Sequence, residues 1–191
     1  LIFPIQDWEY YSPLLPDSER TYLERFGSMD RRAAGAAWRM ALHRELGHEI
    51  ALDYDAAGAP FVKGTGTELY IGVSHSAGRG AVIISDSKCA IDIEDAERDF
   101  SRAADRFVSE AEAGLAGSSE PLFLPAVWCA KETLYKISGR TGLDMKKDLR
   151  ITRIDLAANN ITGAIRDSDG RWEPYGMKIL YHKECIVVYC H

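Results

Sequence analysis

No run of apolar residues in this sequence is long enough to span a bilayer, which argues against an integral membrane protein. The opening Leu1-Ile2-Phe3-Pro4 lacks the basic region and extended apolar core of a secretory signal. Together these two absences make a cytoplasmic protein the expectation. Cysteine is scarce. Cys89, Cys129, Cys185 and Cys190 combine with no second pair and no histidine cluster at zinc spacing. Cys89, Cys185 and Cys190 lie in apolar runs and read as reduced core residues, and Cys129 as an unreactive helix thiol. Positive charge is in deficit, with 23 Lys and Arg against 29 Asp and Glu, a net charge of -6. That balance argues against a general nucleic-acid binder but leaves room for a local basic site that takes a phosphorylated small molecule.

What is present is ordinary for a folded soluble chain. Hydrophobic residues make up 46% and charged residues 27% of 191 positions, enough for one large domain or two small ones. Ser18 to Phe26 reads as a short helix, and Ser28 caps a longer one that runs to about Leu46 and stops at Gly47. Ala33, Ala36 and Ala37 give that helix a small-residue face. Arg31 and Arg32 sit in its first turns, where a cation opposes the helix dipole and an anion would relieve it, although solvated arginines would show the same spacing. Ile50 to Tyr54, Phe61 to Lys63 and Leu69 to Ser74 read as extended segments, and Ser74 to Gly80 as a small polar loop. Ala81 to Ile84 and Cys89 to Glu94 flank a turn and predict a β-hairpin. Ser109 to Glu112 has capping-box spacing. Beyond Gly139 the segments Leu149 to Leu156, Ile161 to Arg166, Trp172 to Tyr181 and Cys185 to Tyr189 read as strands. Each half thus runs from helices to antiparallel strands. The fold class expected is α+β, with two similar subdomains over 1–88 and 89–191 forming one functional unit.

Two stretches carry charge in a pattern that asks for an explanation. Asp92 and Glu94 are two apart on a strand, so they share a face about 6.5–7 Å apart and repel each other. They are tolerable in solvent, or with a divalent cation between them and a third ligand, since carboxylate oxygens are the hard donors Mg²⁺ takes. The second stretch lies in a helix expected from about Pro121 to Gly139, where Trp128, Glu132 and Lys136 recur at i, i+4 and i+8 and fall on one face. Taken by itself, this helix favours a simple Glu-Lys pair on a half-exposed face.

Three segments in order, Val73-Ser74-His75-Ser76, Ala90-Ile91-Asp92-Ile93-Glu94 and Trp128-Cys129-Ala130-Lys131-Glu132-Thr133-Leu134-Tyr135-Lys136, resemble motifs of the 4'-phosphopantetheinyl transferases of the larger, pseudo-dimeric type. Phe107, Ser109 and Glu112 resemble a further segment of that family. The resemblance implies two similar α+β halves with coenzyme A bound between them. It implies transfer of the phosphopantetheine arm to a serine of an apo acyl, peptidyl or aryl carrier protein, with release of adenosine 3',5'-bisphosphate. By motif, Asp92, Glu94 and Glu132 would hold Mg²⁺, and Ser74 and His75 would contact a coenzyme A phosphate. Lys131 and Lys136 would sit near the phosphates, and Arg31 and Arg32 fall where the family often places a basic residue for the 3'-phosphate. Glu132 is the candidate base for the serine proton, ahead of Lys136 and Glu112.

Two departures from the family pattern stand out. Ala59 occupies the turn position where many members carry lysine, which leaves Lys63 as a replacement to be tested, and Thr133 stands where alanine or serine is common. An acidic carrier would dock on a basic patch, for which Lys146, Lys147, Arg150 and Arg153 are candidates. A chain holding both halves can complete the site as a monomer, without nucleic acid or membrane as partner. Two rivals share the acidic residues: another Mg²⁺-dependent enzyme acting on phosphoesters or pyrophosphates, and a module that binds a nucleotide or carrier without turnover.

Overall fold

The computed structural model describes residues 1–48, 50–63 and 68–191. The N-terminal half contains β1 (Ile2–Pro4), α1 (Trp8–Tyr11), α2 (Asp17–Glu24), α3 (Met29–Leu46), β2 (Ala51–Tyr54), β3 (Pro60–Lys63), β4 (Leu69–Ser76) and β5 (Arg79–Ser85). The cap and stop expected for α3 are both present. Ser28 Oγ accepts from the Arg31 amide, and Gly47 ends the helix at φ 93°. The small-residue face is buried through Ala33, Ala36 and Ala37, against α1 and α2. The strands form one antiparallel sheet in the order β1-β5-β4-β3-β2. β1 and α1 were not expected from the sequence.

The polar segment expected as a loop after Ser74 is instead strand. β4 continues through Ser74, His75 and Ser76, and only Ala77 and Gly78 turn, at φ 47° and 71°. Two successive positive φ angles make the tight hairpin connection whose twist suits the flanking strands.

The C-terminal half contains β6 (Ala90–Asp95), α4 (Ala104–Phe107), α5 (Glu110–Ala113), α6 (Phe123–Ser138), β7 (Leu149–Asp155), β8 (Asn160–Arg166), β9 (Trp172–His182) and β10 (Cys185–Cys190). Its sheet is antiparallel in the order β6-β10-β9-β8-β7. The predicted hairpin of β5 with β6 is therefore corrected: the two strands belong to different sheets. β5 has β1 on one edge and β4 on the other, so it offers no free edge, and β6 pairs with β10. Helix α6 lies on this second sheet, with Phe123, Val127, Ala130 and Leu134 packed against Leu149, Ile161 and Ile186. Gly139 stops it in the left-handed conformation. The result is an α+β fold of two similar subdomains, each with helices on a five-stranded antiparallel sheet. No helix among the described residues is long and apolar enough to cross a membrane.

The sheets meet where β4 runs beside β6. A Cβ added at Gly72 would lie 3.2 Å from Ala90 Cα and 3.3 Å from the Ile91 nitrogen. Only a residue without a side chain permits that approach. It brings the alternating side chains of β4 within reach of those on β6.

Candidate active site

The strand pattern decides which side chains meet at this junction. Ile91 and Ile93 enter an apolar cluster with Ala81, Cys185 and Val187. Ala90 packs into the core under α6, so Asp92 and Glu94, at the same parity, face α6 and β4. Both carboxylates are buried, at 5% and 8% exposure, which rules out a strand end running into solvent.

Each carboxylate is met from both sides. Ser74 Oγ and Lys136 Nζ both donate to Asp92 Oδ1 at 2.7 Å. Ser76 Oγ donates to Glu94 Oε2 at 2.7 Å. Glu94 Oε1 accepts from Trp128 Nε1 at 3.1 Å and from Arg98 Nη1 at 3.0 Å. The helical stripe thus runs alongside β6, with Trp128 on Glu94, Lys136 on Asp92, and Glu132 between them on the same face. Trp128 is wedged against the rings of Phe100 and Phe107, which fixes the helix while its N–H holds the carboxylate. Lys136 Nζ also donates to the Ile91 carbonyl at 3.1 Å and to Ser74 Oγ at 3.0 Å.

The group carries more negative charge than it neutralises. Burial pushes the Asp92 pKa up, Lys136 and Ser74 oppose it, and Glu94 adds to the rise. Burial also raises the Glu132 pKa, Asp92 and Glu94 raise it further, and Lys136 lowers it. Asp92 Oδ2 is buried with no hydrogen-bond partner among the described residues. A buried acceptor without a donor is costly and calls for an explanation such as an absent ion. The donor set therefore suits a hard divalent cation. Among the described residues, however, no group of three or more His, Cys, Asp or Glu side chains is gathered so that it could hold a metal as it stands.

A cavity of about 260 Å³ opens beside Lys136, lined by Ala59, Pro60, Ile91, Tyr135 and Arg140 among others. Its walls are mostly apolar and include Lys136 and Arg140, a combination suited to a ligand with both an apolar part and an anionic group. The position left without lysine at Ala59 lines this cavity. Lys63 is turned elsewhere, with its ammonium paired to Asp53 at 2.6 Å. Lys88 comes closer, with its ammonium against Gly139.

The remaining expected residues fall in different places. His75 is exposed, on the strand face opposite Ser74 and Ser76. Arg31 is exposed. Arg32 answers its unfavourable helix position with neighbouring carbonyls instead of an anion: it donates to those of Phe26 and Glu24 at the end of α2. The placement of Lys131 near phosphates is corrected. Its side chain is wholly buried, and Nζ is occupied by Glu112 and by the carbonyls of Phe107, Met145 and Leu149. Glu112, which forms the expected capping box with Ser109, also accepts from the Ile151 amide at 2.7 Å and so ties α5 and α6 to β7. That role removes it from the candidate bases. Cys89 is half-buried and not a core residue, and burial raises its thiol pKa to about 11.

The sequence reading missed Ser76, Arg98, Lys88 and Arg140. Ser76 was within reach, since Ser74 and Ser76 share the parity of Asp92 and Glu94. Arg98 lies in a turn beyond the strand, where no periodicity points to its target.

Residues 88–180 match the family model of the 4'-phosphopantetheinyl transferase superfamily. The matched span begins just before β6 and includes Asp92, Glu94, Glu132 and Lys136. No curated protein matches the chain.

Proposed function

We propose, on the premise that residues 88–180 belong to the 4'-phosphopantetheinyl transferase superfamily, that this chain moves the phosphopantetheine arm of coenzyme A onto a serine of an apo carrier protein. The observation that carries the reading is the cluster at the sheet junction. Buried Asp92 pairs with Lys136 beside a cavity with an apolar wall, and buried Glu94 and the raised-pKa Glu132 share the same junction.

The chemistry follows from these groups. The carrier serine oxygen attacks the phosphorus that bears the pantetheine arm. The bond from that phosphorus to the bridging oxygen breaks, and adenosine 3',5'-bisphosphate departs with the electron pair. Glu132 accepts the serine proton; a carboxylate whose pKa is raised holds a proton better than an ordinary one. Lys136, already on Asp92, faces the charge that builds on the leaving phosphate. Asp92, Glu94 and Glu132 would hold a Mg²⁺ ion, which supplies positive charge against the pyrophosphate. The nucleophile belongs to the partner, so the chain needs no reactive Ser or Cys of its own, in keeping with the buried thiols of Cys129, Cys185 and Cys190. The exposed Lys146, Lys147, Arg150 and Arg153 are the proposed docking surface for an acidic carrier, although Arg150 also stacks on Trp172 and Arg153 lies 3.6 Å from Asp155.

The test is the mass of apo carrier proteins from fatty-acid, polyketide and nonribosomal-peptide systems after incubation with coenzyme A, Mg²⁺ and this protein. A gain of one phosphopantetheine arm on at least one carrier is expected. Hydrolysis of coenzyme A with every carrier left unmodified would favour the phosphoesterase alternative and remove the transfer reading.

A further inference from the structure

Glu94 is held by three donors of unequal strength and mobility. Ser76 is fixed by the backbone of β4, and Trp128 is wedged between aromatic rings. Both are neutral, so neither repels an arriving cation, and Trp128 cannot leave without moving the helix. Arg98 is different. It is charged, it follows β6 in a turn, and 53% of its side chain is exposed. Its guanidinium also lies 4.8 Å from the centroid of the Phe100 ring, a resting place that survives loss of the carboxylate contact. A like charge arriving at Glu94 would be repelled by this guanidinium, and Arg98 is the group free to yield.

We propose that Arg98 is a resident counter-charge on Glu94 that a divalent cation must displace, so that Arg98 sets how tightly the site takes the cation. The inference rests on the reading of Asp92, Glu94 and Glu132 as cation ligands. It also accounts for why the three carboxylates are not gathered around one point: Glu94 is turned to Arg98, and Asp92 to Lys136. Arg98 is a positioning residue in this account and touches neither substrate nor reacting atoms.

The experiment is calorimetric titration of the full chain with Mg²⁺ and with Mn²⁺, without coenzyme A or carrier. It compares wild type, Arg98→Gln and Arg98→Lys, and is repeated as cation-dependent shifts in melting temperature. Arg98→Gln should bind either cation about tenfold more tightly, the change expected when a competing contact worth ~1.4 kcal/mol is removed. Arg98→Lys should fall between. An unchanged or weaker affinity in Arg98→Gln, with wild type binding normally, would overturn the displacement role while leaving the cation site standing. No cation binding in any of the three proteins, with transfer proceeding in excess chelator, would remove the cation site and this inference with it. The exposure of Arg98 makes loss of folding an unexpected outcome, and the chemical unfolding midpoint of each variant checks that directly.

Discussion

Helix α6 carries two lysines five residues apart, and each pairs with a buried carboxylate. Lys131 meets Glu112 with both groups essentially without exposure. There every polar atom is spent: Glu112 accepts from the Ser109 amide and hydroxyl, from the Ile151 amide and from Lys131, and Lys131 fills its remaining donors with carbonyls. Lys136 meets Asp92 with a third of the lysine side chain exposed. There the account does not close. Asp92 Oδ2 has no partner among the described residues, and Glu94 and Glu132 add two more carboxylates against Lys136 and the exposed Arg98. The same kind of lysine–carboxylate pair serves two ends. Closed and matched in charge, it joins elements; left open with surplus negative charge, it marks the candidate site.

The largest way to break the comparison is at the closed pair. Lys131→Met leaves Glu112 charged and buried without its partner, a loss of about 3–5 kcal/mol. Urea unfolding should show it as a large fall in midpoint, partly recovered by adding Glu112→Gln. At the open pair the loss should fall on chemistry instead. Glu132→Gln should slow carrier labelling by ~10²–10⁴-fold, the usual span for a lost general base. Its melting temperature without cation should stay the same or rise, since a charged group that burial disfavours has been removed.

A smaller effect sharpens the contrast through pH. Asp92 and Glu132 have pKa values raised on folding, so the folded chain binds their protons more readily than the unfolded chain. Their contribution to stability is present below the ordinary carboxylate range and lost as pH rises through the raised values. In cation-free buffer, wild type should therefore gain stability relative to an Asp92→Asn, Glu132→Gln double variant as pH falls from neutral through that window. Differential scanning calorimetry of both proteins across pH reads the difference. The smallest effect belongs to His75, exposed on the face of β4 opposite Ser74 and Ser76. His75→Ala should weaken coenzyme A binding a few-fold, on the order of 1 kcal/mol, with little change in the maximal rate.

Much of this was readable in the sequence wherever a local rule fixes the backbone. Ser28 and Gly47 bound α3, Gly139 ends α6, and the C-terminal strands follow from alternation and turn residues. Sheet membership was not readable in that way. The segment between β5 and β6 looks like a hairpin turn, but whether two strands pair depends on which edges are free, and β1 had taken the edge of β5. The continuation of β4 through Ser74-His75-Ser76 was hidden for a related reason: three polar residues read as a loop until buried carboxylates across the junction accept from the two serine hydroxyls.

The site shows the same division. The i, i+4, i+8 spacing of Trp128, Glu132 and Lys136 correctly placed three side chains on one face. It also held the signal that excludes Lys131, which lies about 100° around the helix from Glu132. Arg32 looked like an anion ligand because its helix position is unfavourable, yet the carbonyl groups closing α2 satisfy it. A donor in need identifies a partner's polarity, and only the tertiary fold names the partner.

The measurement that bears most directly on the central claim is carrier labelling by purified Asp92→Asn protein, read by mass beside its unfolding curve. An unfolding midpoint close to wild type with carrier mass unchanged after prolonged incubation is the result expected if the open pair is the transfer site. Labelling at the wild-type rate by a fully folded Asp92→Asn protein would contradict it.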